Sequence, residues 1–198
     1  MKEAWIIAAV RGPRVTFKNF VDAPGSGRND AISLGAYAQS LHDPSISWKD
    51  LEWFRSVWQG PMLLKGVMSA EDARLAVDHG VEAIVVSNHG GRQLEGLPSS
   101  LEVLPEIADA VAGRAEVVFD GGIRRGGDIV KALALGATSC MIGRAFLYGL
   151  GARSEEGVER ALDILLAEMD RAMALLGRPT IADLDRSAVN ASRLYSER

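Results

Sequence analysis

Four polar residues that follow or end short apolar runs are the first candidates for chemistry in this sequence. Lys65 lies in the first run, Ser87 and His89 come at the end of the second, and Asp120 follows the third. A neutral imidazole can accept a proton from a substrate hydroxyl or α-carbon, because histidine titrates near neutral pH. A lysine after an apolar run is costly to bury without a partner. Lys65 is therefore expected to face a negative group or to reach solvent.

Arg92 stands three residues after His89, and its planar guanidinium suits bidentate binding of a carboxylate. The residues alone leave simpler interpretations open. His89 would then be a loop histidine that caps local backbone, Arg92 a surface arginine paired with Glu95, and Lys65 a strand-end lysine in solvent.

Two glycine-containing loops indicate a phosphate site. One is Asp120-Gly121-Gly122-Ile123-Arg124 and the other is Gly143-Arg144. Glycines let backbone N–H groups approach a phosphate, helix N-termini favour an anion, and arginines add charge-assisted hydrogen bonds. A single Asp-Gly-Gly is also a common turn, whereas two such loops after consecutive strands favour a phosphate cradle. Arg125 is read as a neighbouring surface charge.

Alternating strands and helices must position these residues. Ser69 and Ser99 have the sequence pattern of helix N-caps, a third helix is predicted over about residues 128–135, and a long last helix ends before Gly177. The predicted strands are Met62–Val67, Ala83–Ser87, Val117–Phe119 and Ser139–Ile142.

Apolar strands separated by helices predict a parallel sheet covered by helices. Four such units fit a small open sheet or half of a (β/α)8 barrel. An open sheet gathers its site at one switch point, whereas a barrel gathers it from the C-terminal ends of successive strands. Because the polar residues follow successive strands, we predict an α/β chain that forms the C-terminal part of a (β/α)8 TIM barrel, with about four strand–helix units.

The region before the first strand has a different composition. All four tryptophans lie within the first 58 residues, and Ser47–Gln59 is predicted to be a helix with Trp48, Leu51, Phe54 and Trp58 at helical spacing. Asp22–Asp30 has the composition of a mobile loop. We predict a loop and helix region over residues 1–60 and a half-barrel over residues 61–198.

The composition excludes several classes of protein. With 22 basic and 26 acidic side chains among 198 residues, the chain has no general nucleic-acid-binding charge. One cysteine, Cys140, excludes an internal disulfide and is predicted to be an inert core residue. Neither His42 nor His79 is a convincing ligand, so no metal site is predicted. No transmembrane run or signal peptide is recognised, and a cytoplasmic location is expected.

Five stretches of the sequence resemble the FMN-dependent L-2-hydroxy acid dehydrogenases and oxidases, such as glycolate oxidase and the lactate and mandelate dehydrogenases. They occur in order and at family-like spacing, although they cover only the C-terminal half or so of the family's barrel. Ser47–Asp50 with Trp53 also resembles the segment before the fifth strand. The five stretches are Leu64–Val67, Ser87–Leu94, Asp120–Gly126, Lys131–Ala137 and Ile142–Arg144.

The resemblance implies a role for each candidate residue. His89 would be the catalytic base, Arg92 would bind the substrate carboxylate, and Lys65 and Ser87 would contact the flavin. The implied reaction is the oxidation of a small L-2-hydroxy acid (lactate, glycolate or mandelate type) to the 2-keto acid. The alternative is a non-catalytic FMN- or phosphate-binding module or structural remnant. The residues implied to bind the FMN phosphate and its neighbourhood are Asp120, Gly121, Gly122, Ile123, Arg124, Gly143 and Arg144.

Four strands cannot close a barrel, and their inner side chains would lack half of their packing partners. The chain is therefore expected to self-associate or to pair with a complementary N-terminal half-barrel. Val21–Pro24 resembles the family strand whose aspartate orients the histidine, but it lies too close to Lys65, and Asp22 is read as a loop residue. Residues 1–28 carry five basic side chains. An active-site loop is favoured there over a segment that docks on the inner face of a membrane.

Overall fold

The computed structural model describes residues 10–12, 37 and 40–190. The chain divides into two compact units, Met1–Ser47 and Trp48–Arg198, and every strand described here belongs to the second. The predicted loop Asp22–Asp30 and the Val21–Pro24 match lie outside the described residues, as does the basic segment 1–28 apart from residues 10–12. The division predicted at residue 60 stays a prediction.

Four parallel strands form one sheet in which each strand pairs with the next along the chain. All four strand predictions are confirmed to within two residues at each end. The strands are β1 Leu63–Val67, β2 Ala83–Val86, β3 Glu116–Asp120 and β4 Ser139–Met141.

A helix follows each strand, and the predicted caps begin two of them. The Ser69 side chain accepts a hydrogen bond from the Asp72 N–H, and Ser99 and Glu102 form a reciprocal capping box. Within residues 40–190, short 3-10 turns occur at His89–Gly91, Ile181–Asp183 and Arg186–Ala188. The helices are α1 Asp50–Val57, α2 Ala70–Asp78, α3 Ser100–Val111, α4 Gly126–Ala134 and α5 Arg144–Leu176.

Helix α5 is interrupted near its start. Arg153 and Ser154 have non-helical backbone angles, and Ser154 has a φ of 55°. Gly149 and Gly157, on either side of the break, approach so closely that a Cβ on either would overlap backbone of the other. Apolar residues at helical spacing from Val158 to Leu176 predict the segment after this break but not the segment before it.

Helix α1 is shorter and less buried than predicted. Trp48 and Leu51 pack against the core, but Phe54 and Trp58 are 43% and 56% exposed. Phe54 and Trp58 instead line a small apolar cleft of about 290 Å³ together with Leu63 at the edge of β1. The apolar spacing therefore predicted the helix correctly but predicted too wide a buried face.

The hydrophobic core lies between the helices and one face of the sheet. Ile84 and Val86 of β2 and Phe119 of β3 pack there with Leu104 and Ile107 of α3. The opposite face of the sheet is most exposed to solvent on the two edge strands, β1 and β4. Leu63 of β1 is 58% exposed and Met141 of β4 is 43% exposed. In a closed barrel this second face would be the interior. Among the described residues, no helix is both long and apolar enough to cross a bilayer.

Candidate active site

A cleft of about 960 Å³ lies at the C-terminal ends of the four strands. It contains residues from β1 and from the segments that follow β2, β3 and β4, as expected for a barrel site. Of the predicted site residues, only Ser87 does not line it. The predicted residues that do are Lys65, His89, Arg92, Asp120, Gly121, Gly122, Ile123, Arg124, Gly143 and Arg144.

Lys65 is held at the floor of this cleft by two partners. Its Nζ lies 2.9 Å from Asp120 Oδ2 and donates to Ser87 Oγ at 3.0 Å. The register of the β1–β2 pair shifts between Lys65 and Val67, and Gly66 occupies this bulge with a φ of 99° that favours glycine. A bulge redirects neighbouring side chains. Lys65 is thus a paired lysine, in agreement with the expectation that it faces a negative group.

Asp120 is the counter-ion of this network. Burial opposes its ionisation, but hydrogen bonds from Ser87 and Lys65, together with the positive charge of Lys65, hold the pKa of the Asp120 carboxyl below its ordinary value. The carboxylate therefore points towards Lys65 and Ser87, although its place in the Asp120–Arg124 loop predicted a position in the phosphate site.

His89 occupies a strained turn directly after β2. Its φ is 55°, in the left-handed region that is uncommon for residues other than glycine. The Asn88 side chain accepts from the Gly91 N–H at 3.2 Å, and the His89 N–H donates to Ser87 Oγ at 3.1 Å. Local capping is thus done by Asn88 and not by the imidazole. The exposed ring of His89 remains available on the cleft.

Arg92 also lines the cleft. Within residues 40–190 its guanidinium makes no ion pair, so the alternative pairing with Glu95 does not occur. An unpaired guanidinium on a cleft wall can bind a carboxylate through two parallel hydrogen bonds.

The glycine-containing loop after β3 lines the cleft. Gly121 and Gly122 have φ values of 127° and 77°, which place the chain in a turn that side chains resist. Apart from the residues on either side of it, no described residue has an atom within 4 Å of where a Cβ on Gly122 would stand, so this backbone faces open space. Arg124 follows on the same wall and is exposed. The arrangement suits an anion.

The N-terminus of α4, by contrast, is capped by protein carboxylates. Asp128 Oδ2 accepts from the N–H groups of Arg124 and Arg125, and Glu168 Oε2 accepts from the Gly126 N–H at 2.9 Å. The hydrogen bond from the Gly126 N–H lowers the pKa of the Glu168 carboxyl most, and the hydrogen bond from the Arg125 side chain lowers it further. The expectation that this helix N-terminus would help to bind a phosphate is therefore not met.

Helix α5 provides the free helix N-terminus instead. Its N-cap is Gly143, which makes no side-chain capping bond, and Arg144 is its first residue. The first N–H groups of a helix lack internal partners and favour an anion. Gly143 and Arg144 thus face the Gly121–Arg124 loop across one cleft.

Sequence reasoning missed two parts of the site. The first is Glu168, which is 42 residues from the Gly126 that it caps, so no local pattern could indicate it. The second is an apolar wall beside the arginines, formed by Leu147, Tyr148 and Ile164 of α5. Helical spacing could have indicated this wall if the first segment of α5 had been recognised.

The remaining candidates behave as ordinary structural residues. Burial raises the pKa of the Cys140 thiol to about 11, which keeps it protonated and unreactive. His79 Nδ1 lies 2.8 Å from the Leu75 carbonyl, and its ring lies against Trp48. No cluster of three metal-ligating side chains occurs in the part of the chain that the structure describes.

Comparison with known proteins identifies the family. A family model described as FMN-dependent dehydrogenase matches residues 2–191. The chain is 57% identical over 153 residues to an L-lactate dehydrogenase of Haemophilus influenzae, a match that covers 77% of the chain. It is 50% identical over 161 residues, 81% of the chain, to a peroxisomal (S)-2-hydroxyacid oxidase of Arabidopsis thaliana.

The solved structures agree with these matches. The structure of (S)-mandelate dehydrogenase, described as a monotopic membrane protein, superposes with a TM-score of 0.85 at 39% identity over 95% of the chain. The matches cover 40%, 44% and 49% of the three relatives, so the chain spans less than half of each. The predicted barrel class and the predicted resemblance are confirmed. The chain belongs to the family of FMN-dependent dehydrogenases.

Proposed function

We propose that this chain carries the flavin- and substrate-binding half of an enzyme that oxidises a small L-2-hydroxy acid to the 2-keto acid. One observation carries the proposal: a single cleft brings together an exposed imidazole, an unpaired arginine, an anchored lysine and two anion-binding loops. The relatives described as L-lactate dehydrogenase and (S)-2-hydroxyacid oxidase support the same class of substrate. Lactate, glycolate and mandelate are the substrates to test.

The residues present fit FMN. The side chains of Arg124 and Arg144 and the N–H groups of Gly121–Ile123 would hold its phosphate, because these residues line one cleft and these groups have no hydrogen-bond partner among the described residues. Lys65 has three N–H donors, of which two are engaged, so the third is free for a flavin oxygen or nitrogen. When bound, FMN supplies the group that accepts a hydride or its equivalent from the substrate.

Side chains of this chain would bind the substrate, accept its proton and stabilise the charge that develops. Arg92 binds the carboxylate and fixes the orientation of the α-carbon. His89 accepts the proton of the substrate hydroxyl as general base. The ammonium of Lys65 stabilises negative charge that develops beside it.

An absorbance spectrum tests the proposal. The purified chain is mixed with FMN and desalted, and L-lactate, glycolate or L-mandelate is then added without oxygen. We expect retained yellow colour that bleaches with at least one of these acids. His89→Ala should retain the flavin and lose the bleaching. A colourless chain, or bleaching at the unchanged rate in His89→Ala, would contradict the proposal.

A second candidate function is a flavin-binding module without turnover. The observation that favours it is that both candidate phosphate-binding segments, Gly121–Arg124 and Gly143–Arg144, line one cleft. Flavin that is retained but never bleached by any of the three acids would support this second function.

We also propose that the chain associates with a second half-barrel, either another copy or a complementary chain. The support is the uncovered sheet face on both edge strands, where Leu63 and Met141 are exposed. Edge strands also present unpaired backbone groups.

We propose a cytoplasmic location, with docking on the inner face of a membrane as the alternative. The description of the similar (S)-mandelate dehydrogenase as a monotopic membrane protein supports the alternative. Co-sedimentation with vesicles, with and without anionic lipid, distinguishes the two.

A further inference from the structure

Helix α5 consists of two helical segments that both reach the candidate phosphate site. The first segment, residues 144–152, begins at Arg144, and the second segment is residues 155–176. Both segments contribute residues to the cleft. Arg153 and Ser154 between them are not helical, so the hydrogen bonds that keep a helix straight are interrupted there. The angle between the two segments must therefore be set by the packing of one on the other.

Two glycines form the contact between these segments. A Cβ on Gly149 would overlap the carbonyl group of Gly157, and a Cβ on Gly157 would overlap the carbonyl group of Gly149. The segments therefore cross with backbone against backbone at this pair, where Gly157 is buried and Gly149 is half-buried. Because the contact leaves no space for a side chain, one added methyl group must move one segment relative to the other.

The second segment of α5 is also fixed to the other side of the phosphate site. Glu168 in this segment accepts from the Gly126 N–H at 2.9 Å and forms an ion pair of 2.9 Å with Arg125. The Gly121–Arg124 loop continues directly into these two residues. Residues 155–176 therefore contact the end of that loop as well as the first segment of α5.

The two arginines of the candidate phosphate site depend on these backbone contacts for their positions. In the part of the chain that the structure describes, neither Arg124 nor Arg144 makes an ion pair through its side chain. Their placement is thus determined by the loop and the helical segment that carry them. Hydrogen bonds weaken steeply as their geometry departs from the optimum, so a rotated segment would bind a phosphate less well.

We propose that the crossing of Gly149 and Gly157 positions Arg144 for the phosphate group of the flavin. The second segment of α5 holds the Gly121–Arg124 loop through Glu168 and the first segment through Gly157, so the crossing sets the separation of the two sides of the anion site. This inference rests on the proposed function, which supplies the phosphate. The two glycines are positioning residues, because they act through the helical segment that carries Arg144.

The first test uses the chain without FMN. Residual dipolar couplings of backbone amides measure the angle between residues 144–152 and residues 155–176 in the parent chain and in Gly149→Ala. We expect a different angle in the variant, because the methyl group forces the crossing apart. An unchanged angle would overturn the inference. Gly157→Ala places a methyl group at the same contact from the other side, and it serves in this measurement if Gly149→Ala fails to fold.

Gly151→Ala is the matched control. It makes the same chemical change in the same segment as Gly149→Ala, so any gain in helix propensity is shared. No described atom outside the helix's own backbone and the neighbouring residues lies within 4 Å of its added Cβ. The control should therefore keep the parent angle. Equal changes of angle in Gly151→Ala and Gly149→Ala would contradict the role assigned to the crossing.

The second test compares FMN with riboflavin, which has the same ring system and ribityl chain but no phosphate. The ratio of the two dissociation constants measures how much the phosphate contributes to binding. We expect Gly149→Ala to weaken FMN binding about tenfold and riboflavin binding less than about twofold. Gly151→Ala should change neither. Equal weakening of both ligands by Gly149→Ala would indicate a general loss of structure and overturn the inference.

The two tests distinguish failure of the inference from failure of the proposed function. A parent chain that binds neither flavin would contradict the proposed function. The dipolar couplings of the flavin-free chain would still decide whether the crossing orients the segment that carries Arg144.

Discussion

Asp120 shows how one residue of the candidate site links function to stability. Its carboxylate is ionised beside Lys65 and hydrogen-bonded by Ser87, so its pKa is lower in the folded chain than in the unfolded one. A group with a lowered folded-state pKa stabilises the fold above its unfolded pKa, which is about 3.9 for aspartate. That stability is lost as the pH falls from this value through the folded-state pKa.

We therefore expect Asp120→Asn to reduce the acid sensitivity of the fold. The free energy of unfolding in urea should fall less between pH 6 and pH 3 in this variant than in the parent chain. Glu95→Gln is the control, because Glu95 makes no ion pair or hydrogen bond within residues 40–190. An equal loss of stability in Asp120→Asn and the parent would contradict the prediction.

Arg92 gives a second residue-level prediction. Lysine keeps the charge but not the planar fork, so Arg92→Lys should lose bidentate binding of the substrate carboxylate. The substrate concentration that gives half-maximal flavin bleaching should rise about tenfold. Arg74→Lys, an exposed arginine on α2, provides the control. If both variants bleach at the parent concentration, Arg92 does not bind the carboxylate.

At the level of elements, the contact between α4 and α5 fixes the position of one side of the anion site. Gly126 begins α4, and a Cβ there would overlap the backbone nitrogen of Met169 on α5. The Gly126 N–H also donates to Glu168 at this contact. The close approach of the two helices therefore depends on the absence of a side chain at one position.

We expect Gly126→Ala to destabilise the fold by about 3 kcal/mol, since backbone must move to admit the methyl group. Gly127→Ala tests the next residue of the same helix, where no described atom outside the helix's own backbone and the neighbouring residues lies within 4 Å of the added Cβ. It should be neutral or slightly stabilising. Urea unfolding of both variants measures the difference, and similar stabilities for the two would refute this account of the contact.

The elements also show which features were predictable from sequence. The strands and the caps at Ser69 and Ser99 depend on neighbouring residues, so local patterns predicted them correctly. The clustering of Lys65, His89 and Arg124 was predictable as well, because parallel strands bring their C-terminal ends together. The capping of Gly126 by Glu168 and the break in α5 depend on contacts between distant segments. No local pattern contains that information.

The whole molecule has a sheet that is buried on its helical face and less covered on the other. Leu63 and Met141 mark the exposed face on the two edge strands. Association with a second half-barrel would remove this apolar surface from water and pair the free strand edges.

Concentration-dependent self-association is the prediction at this scale. Analytical ultracentrifugation of the chain should show dimers or larger species, and Leu63→Lys should weaken their formation. Leu175→Lys is the control, because Leu175 is 83% exposed but belongs to α5 and not to the sheet. A single monomeric species across the concentration range would count against association.

The strand order has a consequence for how the chain is made. Strands β2, β3 and β4 each pair with the strand that precedes them in the sequence, so each leaves the ribosome after that partner. The sheet can therefore grow in the direction of synthesis, with short-range pairings that close quickly. Lys65 and His89 are synthesised before β4 and the Gly143–Arg144 turn. The Gly143–Arg144 side of the cleft is therefore the last part of the anion site to be synthesised.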